Sequence, residues 1–116
     1  MKTLQNHRIG IEQGEVLMFS DFEHGGEMWS GDGPRECCKS VRFPTAFRNA
    51  PAVQVAVVLW DVSPDAALRA ELRARDITPD GFELVFNTWG DTRIARLRVS
   101  WMAIGEAAHD DDWDLG

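Results

Sequence analysis

The sequence has no tyrosine, only two cysteines, and fewer basic than acidic side chains, 12 Lys and Arg against 19 Asp and Glu. Each shortage narrows the function. A formal net charge of -7 and a pI near 4.8 repel a phosphate backbone, so nucleic acid is not an expected partner without a local basic patch. The cysteines, Cys37 and Cys38, are neighbours. A bridge between adjacent residues closes a strained ring, so two free thiols are expected, one packed inward and one facing solvent. No further soft ligands lie nearby in sequence, so no metal is expected on them. Unbridged cysteines fit a reducing compartment. Long apolar runs are also missing. The longest, Val55 to Trp60, is the size of a strand and far below the roughly 20 residues that cross a bilayer, so membrane insertion is not expected. The segment from Met1 to Arg8 carries no apolar core, so no ordinary secretory signal is expected. Synthesis in the cytoplasm follows, with later release or association with a particle left open.

What is present points to one packed domain. A chain of 116 residues and 13.0 kDa leaves room for a single ordinary domain. Area scaling gives roughly 6,300 Å² of folded surface against about 19,000 Å² unfolded, enough burial for a real core. The hydrophobic share of 44% is that of a globular chain rather than a disordered one. The aromatic set is unusual, with 5 Trp and 6 Phe. Residues 1–105 read as the domain. Residues 106–116, with Asp110, Asp111, Asp112 and Asp114, read as an acidic C-terminal tail that Trp113 and Leu115 are able to anchor.

A period of two dominates the pattern. Val53, Val55, Val57 and Leu59 alternate with Gln54, Ala56, Val58 and Trp60. Both faces are largely apolar, which predicts a central strand buried on both sides. Ala95, Leu97, Val99, Trp101 and Ala103 alternate with Arg96, Arg98, Ser100 and Met102, a half-buried strand. Phe82, Leu84 and Phe86 mark another. Val41 to Phe47 predicts a further strand, with Pro44 implying an edge or a bulge. From Ala66 to Arg75 composition favours helix, but Leu68, Ala70, Leu72 and Ala74 alternate strictly with Arg69, Glu71, Arg73 and Arg75. On a helix those charges would ring the cylinder, so a strand is predicted. Turn signals follow at Ser63-Pro64-Asp65 and Thr78-Pro79-Asp80-Gly81. Trp89-Gly90-Asp91-Thr92 reads as a hairpin tip. Short, evenly spaced strands indicate an all-β sandwich or barrel. Residues 20–35 form a long Gly-rich loop carrying Trp29, Asp32 and Arg35.

Catalytic signatures are thin. The histidines, His7, His24 and His109, lie in no known motif, and no G-x-S-x-G occurs. A Cys38–His24 pair is the nearest approach to a nucleophile and base. No carboxylate pair stands out for glycoside hydrolysis. The Asp110–Asp114 cluster lacks the glycine turn and terminal Glu of a calcium loop. The glycines of residues 25–33 match no phosphate-binding fingerprint. No enzymatic activity and no cofactor are therefore expected. Binding chemistry is better represented. Sugar sites combine an aromatic wall with planar polar groups, a carboxylate accepting hydroxyl protons and a guanidinium donating to the same oxygens. Asp32 in the loop, Arg69 on its strand and Trp89 at the turn supply those three types. On their own they are ordinary residues.

Together with their surroundings they resemble the H-type lectin domain family, from about His7 to Ile104. Val41-Arg42-Phe43 followed by Ala50-Pro51-Ala52-Val53 is similar to the family's entry strands. Asp61-Val62 with Leu68-Arg69, then Asp76-Ile77-Thr78-Pro79-Asp80-Gly81-Phe82, resemble its next two segments. Thr88-Trp89-Gly90-Asp91-Thr92 resembles its T-W-x-x-T connection, and Val99-Ser100-Trp101-Met102-Ala103-Ile104 its S-W-x-x-I strand. The resemblance implies a six-stranded antiparallel β-sandwich that assembles as a homotrimer. It also implies galactose or N-acetylgalactosamine bound in clefts between protomers. It places Asp32 and Arg69 on the sugar hydroxyls, with Trp89 lining the site and Gly90 beside it. Gly90 stands where well-known members have a histidine that contacts the acetamide and can bind metal on the axis, so no axial metal is expected. Ala95 replaces the family's site tyrosine, and Phe86 occupies the position of a disulfide cysteine. The reading is a non-enzymatic carbohydrate-binding trimer, suited to cell-surface adhesion. The rival is a trimeric structural or adhesion component of a phage-like tail or particle, without a working sugar site.

Overall fold

The computed structural model describes residues 1–5 and 8–108. Six strands and a one-turn helix follow in the order β1 (Ile9–Ser20), α1 (Glu27–Ser30), β2 (Arg35–Arg42), β3 (Ala52–Val62), β4 (Ala70–Thr78), β5 (Gly81–Thr88) and β6 (Ile94–Glu106). They form two antiparallel sheets, ordered β1-β6-β3 and β2-β5-β4. The architecture is the expected six-stranded sandwich. The two central strands carry the most regular apolar alternation. Leu97, Val99, Trp101 and Ala103 of β6 face Phe82, Leu84 and Phe86 of β5, all buried. Burying such side chains stabilises by about 1.5–3 kcal/mol each. Phe43, Phe47, Phe82 and Trp101 close one end, with ring centroids 5.1 to 5.8 Å apart. The indole of Trp101 lies over Gly14, where an added Cβ would come within 2.9 Å of Nε1. Glycine there is what lets the indole approach the β1 backbone.

Several expectations are corrected. The strand predicted at Val41 to Phe47 lies earlier, as β2, and stops at Arg42; a proline at 44 removes a ladder donor and restrains the residue before it. β3 is an edge strand, not a central one, because among the described residues only β6 pairs with it. Its second apolar face, including Val58 and Leu59, is exposed. Trp89-Gly90-Asp91-Thr92 is not a hairpin tip: β5 and β6 belong to different sheets, so the segment crosses the sandwich. β1 was not anticipated at all. Within the Gly-rich loop, Glu27–Ser30 make one helical turn, and Arg35 belongs to β2. The Leu68 to Ala74 region is strand, as its alternation predicts, but β4 begins at Ala70, so Arg69 precedes it. Cys37 is half-buried and Cys38 exposed, as neighbours on a strand must be, and both are free. Glu106 completes β6 and Ala107 bridges Phe47; residues 109–116 of the acidic tail lie outside the described residues.

Candidate functional site

Three segments meet at the end of the sandwich opposite the Phe43 cluster: the loop before β2, the lead into β4, and the crossing between β5 and β6. Two buried threonines build the junction. The Thr88 hydroxyl donates to the Arg69 carbonyl at 2.6 Å, and the Arg69 N–H donates to Thr92 Oγ1 at 2.9 Å. The Thr92 hydroxyl in turn donates to the Ala67 carbonyl at 2.7 Å. The Arg69 main chain is thus clamped from both ends of the crossing, while its side chain stays exposed. Its guanidinium lies over Gly90: a Cβ at that position would sit 3.5 Å from Nη1. Gly90 has φ +71, a left-handed conformation that only glycine adopts without strain. Arg69 pairs with Asp91 at 3.6 Å, both partners more than half exposed. Such a surface pair is worth little and leaves the guanidinium available.

The loop bearing Asp32 is fastened to the same crossing. The Gly33 N–H donates to the Gly90 carbonyl at 2.8 Å. Arg35, 6% exposed, does most of the fastening. Its guanidinium donates to the carbonyls of Gly33 at 2.9 Å, Glu27 at 3.1 Å, Met28 at 3.4 Å and Gly90 at 3.2 Å. One rigid fork thereby ties α1, the Asp32 loop and the crossing together. Asp32 itself is exposed, and its carboxylate has no hydrogen bond or ion pair among the described residues. Trp89 is 43% exposed and lines a shallow hollow of about 250 Å³ with Pro34, Glu36 and Asn87.

The structure therefore brings Arg69, Gly90 and Asp91 into contact and pins the residue next to Asp32 to Gly90. It forms no Asp32–Arg69 ion pair; Asp91 takes that place. Sequence reasoning missed the roles of Thr88, Thr92 and Arg35. The T-W-x-x-T spacing was the signal for the threonines, since the two hydroxyls bracket the crossing. The Cys38 thiol donates to Glu36 at 2.9 Å, and that bond, with help from Glu83, pushes its pKa up to about 12, opposite to a nucleophile. Among the described residues no cluster of His, Cys, Asp and Glu is placed to hold a metal ion; His7, His109 and the Asp110–Asp114 cluster lie outside them.

Comparison with known proteins bears on the family and the fold. Residues 38–104 match the family model of the H-type lectin domain. The protein described as ATP synthase subunits region ORF 7 of Fuscovulum blasticum is 49% identical over 107 residues, 92% of this chain and 93% of that one. Discoidin-2 of Dictyostelium discoideum is 33% identical over 76 residues, 65% of this chain. The solved structure of recombinant discoidin II from the same organism superposes with a TM-score of 0.74 at 26% identity over 90% of this chain. The chain spans only 30% of Discoidin-2 and 40% of the discoidin II chain.

Proposed function

Because the chain belongs to the H-type lectin domain family, we propose that it is a carbohydrate-binding module that recognises galactose-type sugars at the Asp32, Arg69, Trp89 and Gly90 end of the sandwich. The observation that carries this reading is the fastening of the Asp32 loop to Gly90, directly beneath the Arg69 guanidinium. A free carboxylate, an exposed guanidinium and a half-exposed indole are held on one rigid junction. In the proposed complex Asp32 accepts hydrogen bonds from two vicinal hydroxyls and Arg69 donates to the same oxygens. Trp89 packs on the apolar C–H face of the ring. Gly90 presents no side chain toward an acetamide, so galactose is preferred over N-acetylgalactosamine. Binding rather than catalysis is the role of the site.

The same reading includes a trimer with sites at clefts between protomers. The outer face of the β1-β6-β3 sheet supports it. Ile11, Ile104 and Ala52 stand in one row, Gln13, Met102 and Gln54 in another, and Leu17, Arg98 and Leu59 in a third. Ile11 is 62% exposed and Leu17 48%; these exposed apolar side chains, set among Gln13, Gln54 and Arg98, are of the kind found at an interface. Three weak sites on one assembly then gain avidity on a multivalent cell surface, consistent with a role in adhesion. The test is a glycan array probed with wild type, Asp32→Ala and Trp89→Ala. Wild type should bind galactose-terminated glycans and both variants should lose them. Binding to no glycan, or equal binding by the variants, would overturn the assignment, and a trimer without binding would favour the scaffold reading.

A further inference from the structure

The outer face of the β1-β6-β3 sheet is uneven. Cross-strand partners stand side by side on it, in rows of one residue from each strand. Gln13-Met102-Gln54 and Leu17-Arg98-Leu59 are rows of long side chains, and the row between them, Glu15-Ser100-Ala56, shortens to a serine and an alanine. That row is the floor of a trough: a hollow of about 710 Å³ lies over Ser100 and Ala56, edged by Gln13, Glu15, Gln54 and Met102. Charge singles out the same place. At one end of the face Arg96 and Asp61 pair within the chain at 3.4 Å. In the four rows from Ile11-Ile104-Ala52 to Leu17-Arg98-Leu59 the only charges are Glu15 and Arg98. Both are exposed, and neither has a hydrogen bond or an ion pair among the described residues. In water each is solvated. Under a covering surface each needs a partner, because a charge buried alone is strongly destabilising.

We propose that a second copy of this chain fills the trough, with Arg98 of one protomer paired to Glu15 of the next; this rests on the trimer reading above and names the contact that sets its register. The ridge Leu17-Arg98-Leu59 of one copy enters the trough Glu15-Ser100-Ala56 of its neighbour, a shift of one row. Well-packed interfaces fill their hollows as densely as protein interiors do, and the bulky row beside the trough is the shape that fills it. The same shift carries Arg98 onto the row that holds the neighbour's Glu15. Unshifted, the rows would set like charges level with one another. Shape and charge therefore ask for one and the same offset. Leu17 and Leu59, 48% and 37% exposed on the single chain, flank Arg98 in its row and close apolar surface around the pair. A small ligand in the trough would fill the hollow and still leave Arg98 without a partner, whereas a copy of the chain answers both charges. Each protomer gives its ridge to one neighbour and its trough to another, the head-to-tail contact that closes into a ring.

The experiment is sedimentation equilibrium on the full chain, with Glu15→Arg, Arg98→Glu and the double exchange. Wild type should be a trimer. Each single reversal sets like charges against each other across the contact and should weaken association by at least about thirtyfold. The double exchange restores opposite charges and should recover association to within a few-fold of wild type. Both side chains are exposed on the single chain, so the far-ultraviolet spectrum should not change in any variant. Mixing the two single variants separates a contact between protomers from one within a chain. Opposite charges then meet only between unlike chains, so native mass spectrometry should show mixed oligomers where each variant alone shows few. Single variants that associate as wild type does overturn the pairing and leave the trimer standing. Single variants that dissociate with no recovery in the double exchange also overturn it, and so does recovery in the double exchange without mixed oligomers, which would place the pair inside one chain. A wild type that sediments as a monomer overturns the trimer reading and this contact with it, and the sugar site then stands or falls on the glycan array alone.

Discussion

Replacing Arg35 with methionine keeps most of the apolar stem of the side chain and removes its donors. Four main-chain carbonyls, those of Gly33, Glu27, Met28 and Gly90, then lose the almost fully buried guanidinium, although those of Gly90 and Glu27 keep the N–H groups of Gly33 and Gly31. A hydrogen bond to a charged group contributes about 1.5–3 kcal/mol net. The simple sum exceeds what the variant can lose, because the loop is able to detach and return its carbonyls to water. The cost is then set by the detached state, and breaking a buried network of this kind costs about 3–5 kcal/mol. Taking about 3 kcal/mol, the melting temperature should fall by roughly 9–18 °C for a domain of this size. The Gly33 amide, which donates to Gly90, should exchange with solvent about a hundredfold faster. Arg35→Lys should rescue little, since a single ammonium cannot reproduce the fork. Chemical denaturation and amide exchange are the assays. A variant with an unchanged midpoint and an unchanged Gly33 amide would refute the claim that Arg35 fastens the site.

Other outcomes follow from the same geometry. Gly90→Ala puts a Cβ at φ +71 and against Arg69; it should destabilise by about 1–2 kcal/mol in urea unfolding and weaken galactose binding. Cys38, pushed up to about 12 by its bond to Glu36, holds its proton at pH 8.5 and should react slowly with iodoacetamide despite its exposure. Glu36→Gln removes the carboxylate charge that favours the protonated form and leaves only a weaker amide acceptor, so alkylation at that pH should accelerate. Met102→Glu on the outer face of β6, next to Gln13 and Gln54, should convert the proposed trimer to a monomer in analytical ultracentrifugation while leaving the far-ultraviolet spectrum intact; a variant that stays trimeric would move the interface elsewhere.

How far the sequence was legible depended on where each apolar pattern pointed. β5 and β6, central and buried on one face, were plain from alternation alone. In β4 the same alternation correctly outweighed helix-forming composition, because the partner strand fixes which side is buried. β1 was illegible because its pattern is inverted: Ile9, Ile11 and Leu17 face outward while Gly10, Glu12 and Gly14 face in. Glycine inside that strand makes sense only once Trp101 is seen lying on Gly14. The two apolar faces of β3 were read as double burial, whereas one of them is exposed on the single chain. The residue types of the candidate site were visible early, through the family pattern. Its mechanics were not, since no local signal announces that Arg35 gathers carbonyls from three separate segments. The same limit turned the β5–β6 crossing into an expected hairpin, because a short link between strands does not say which sheet each will join.

The central claim is that Asp32, Arg69 and Trp89 form one galactose site, and titration calorimetry with galactose tests it most directly. Wild type should give a saturable isotherm, and Asp32→Asn, which keeps the shape and removes the charge, should abolish it with no change in melting temperature. An isotherm for Asp32→Asn that matches wild type would contradict the account.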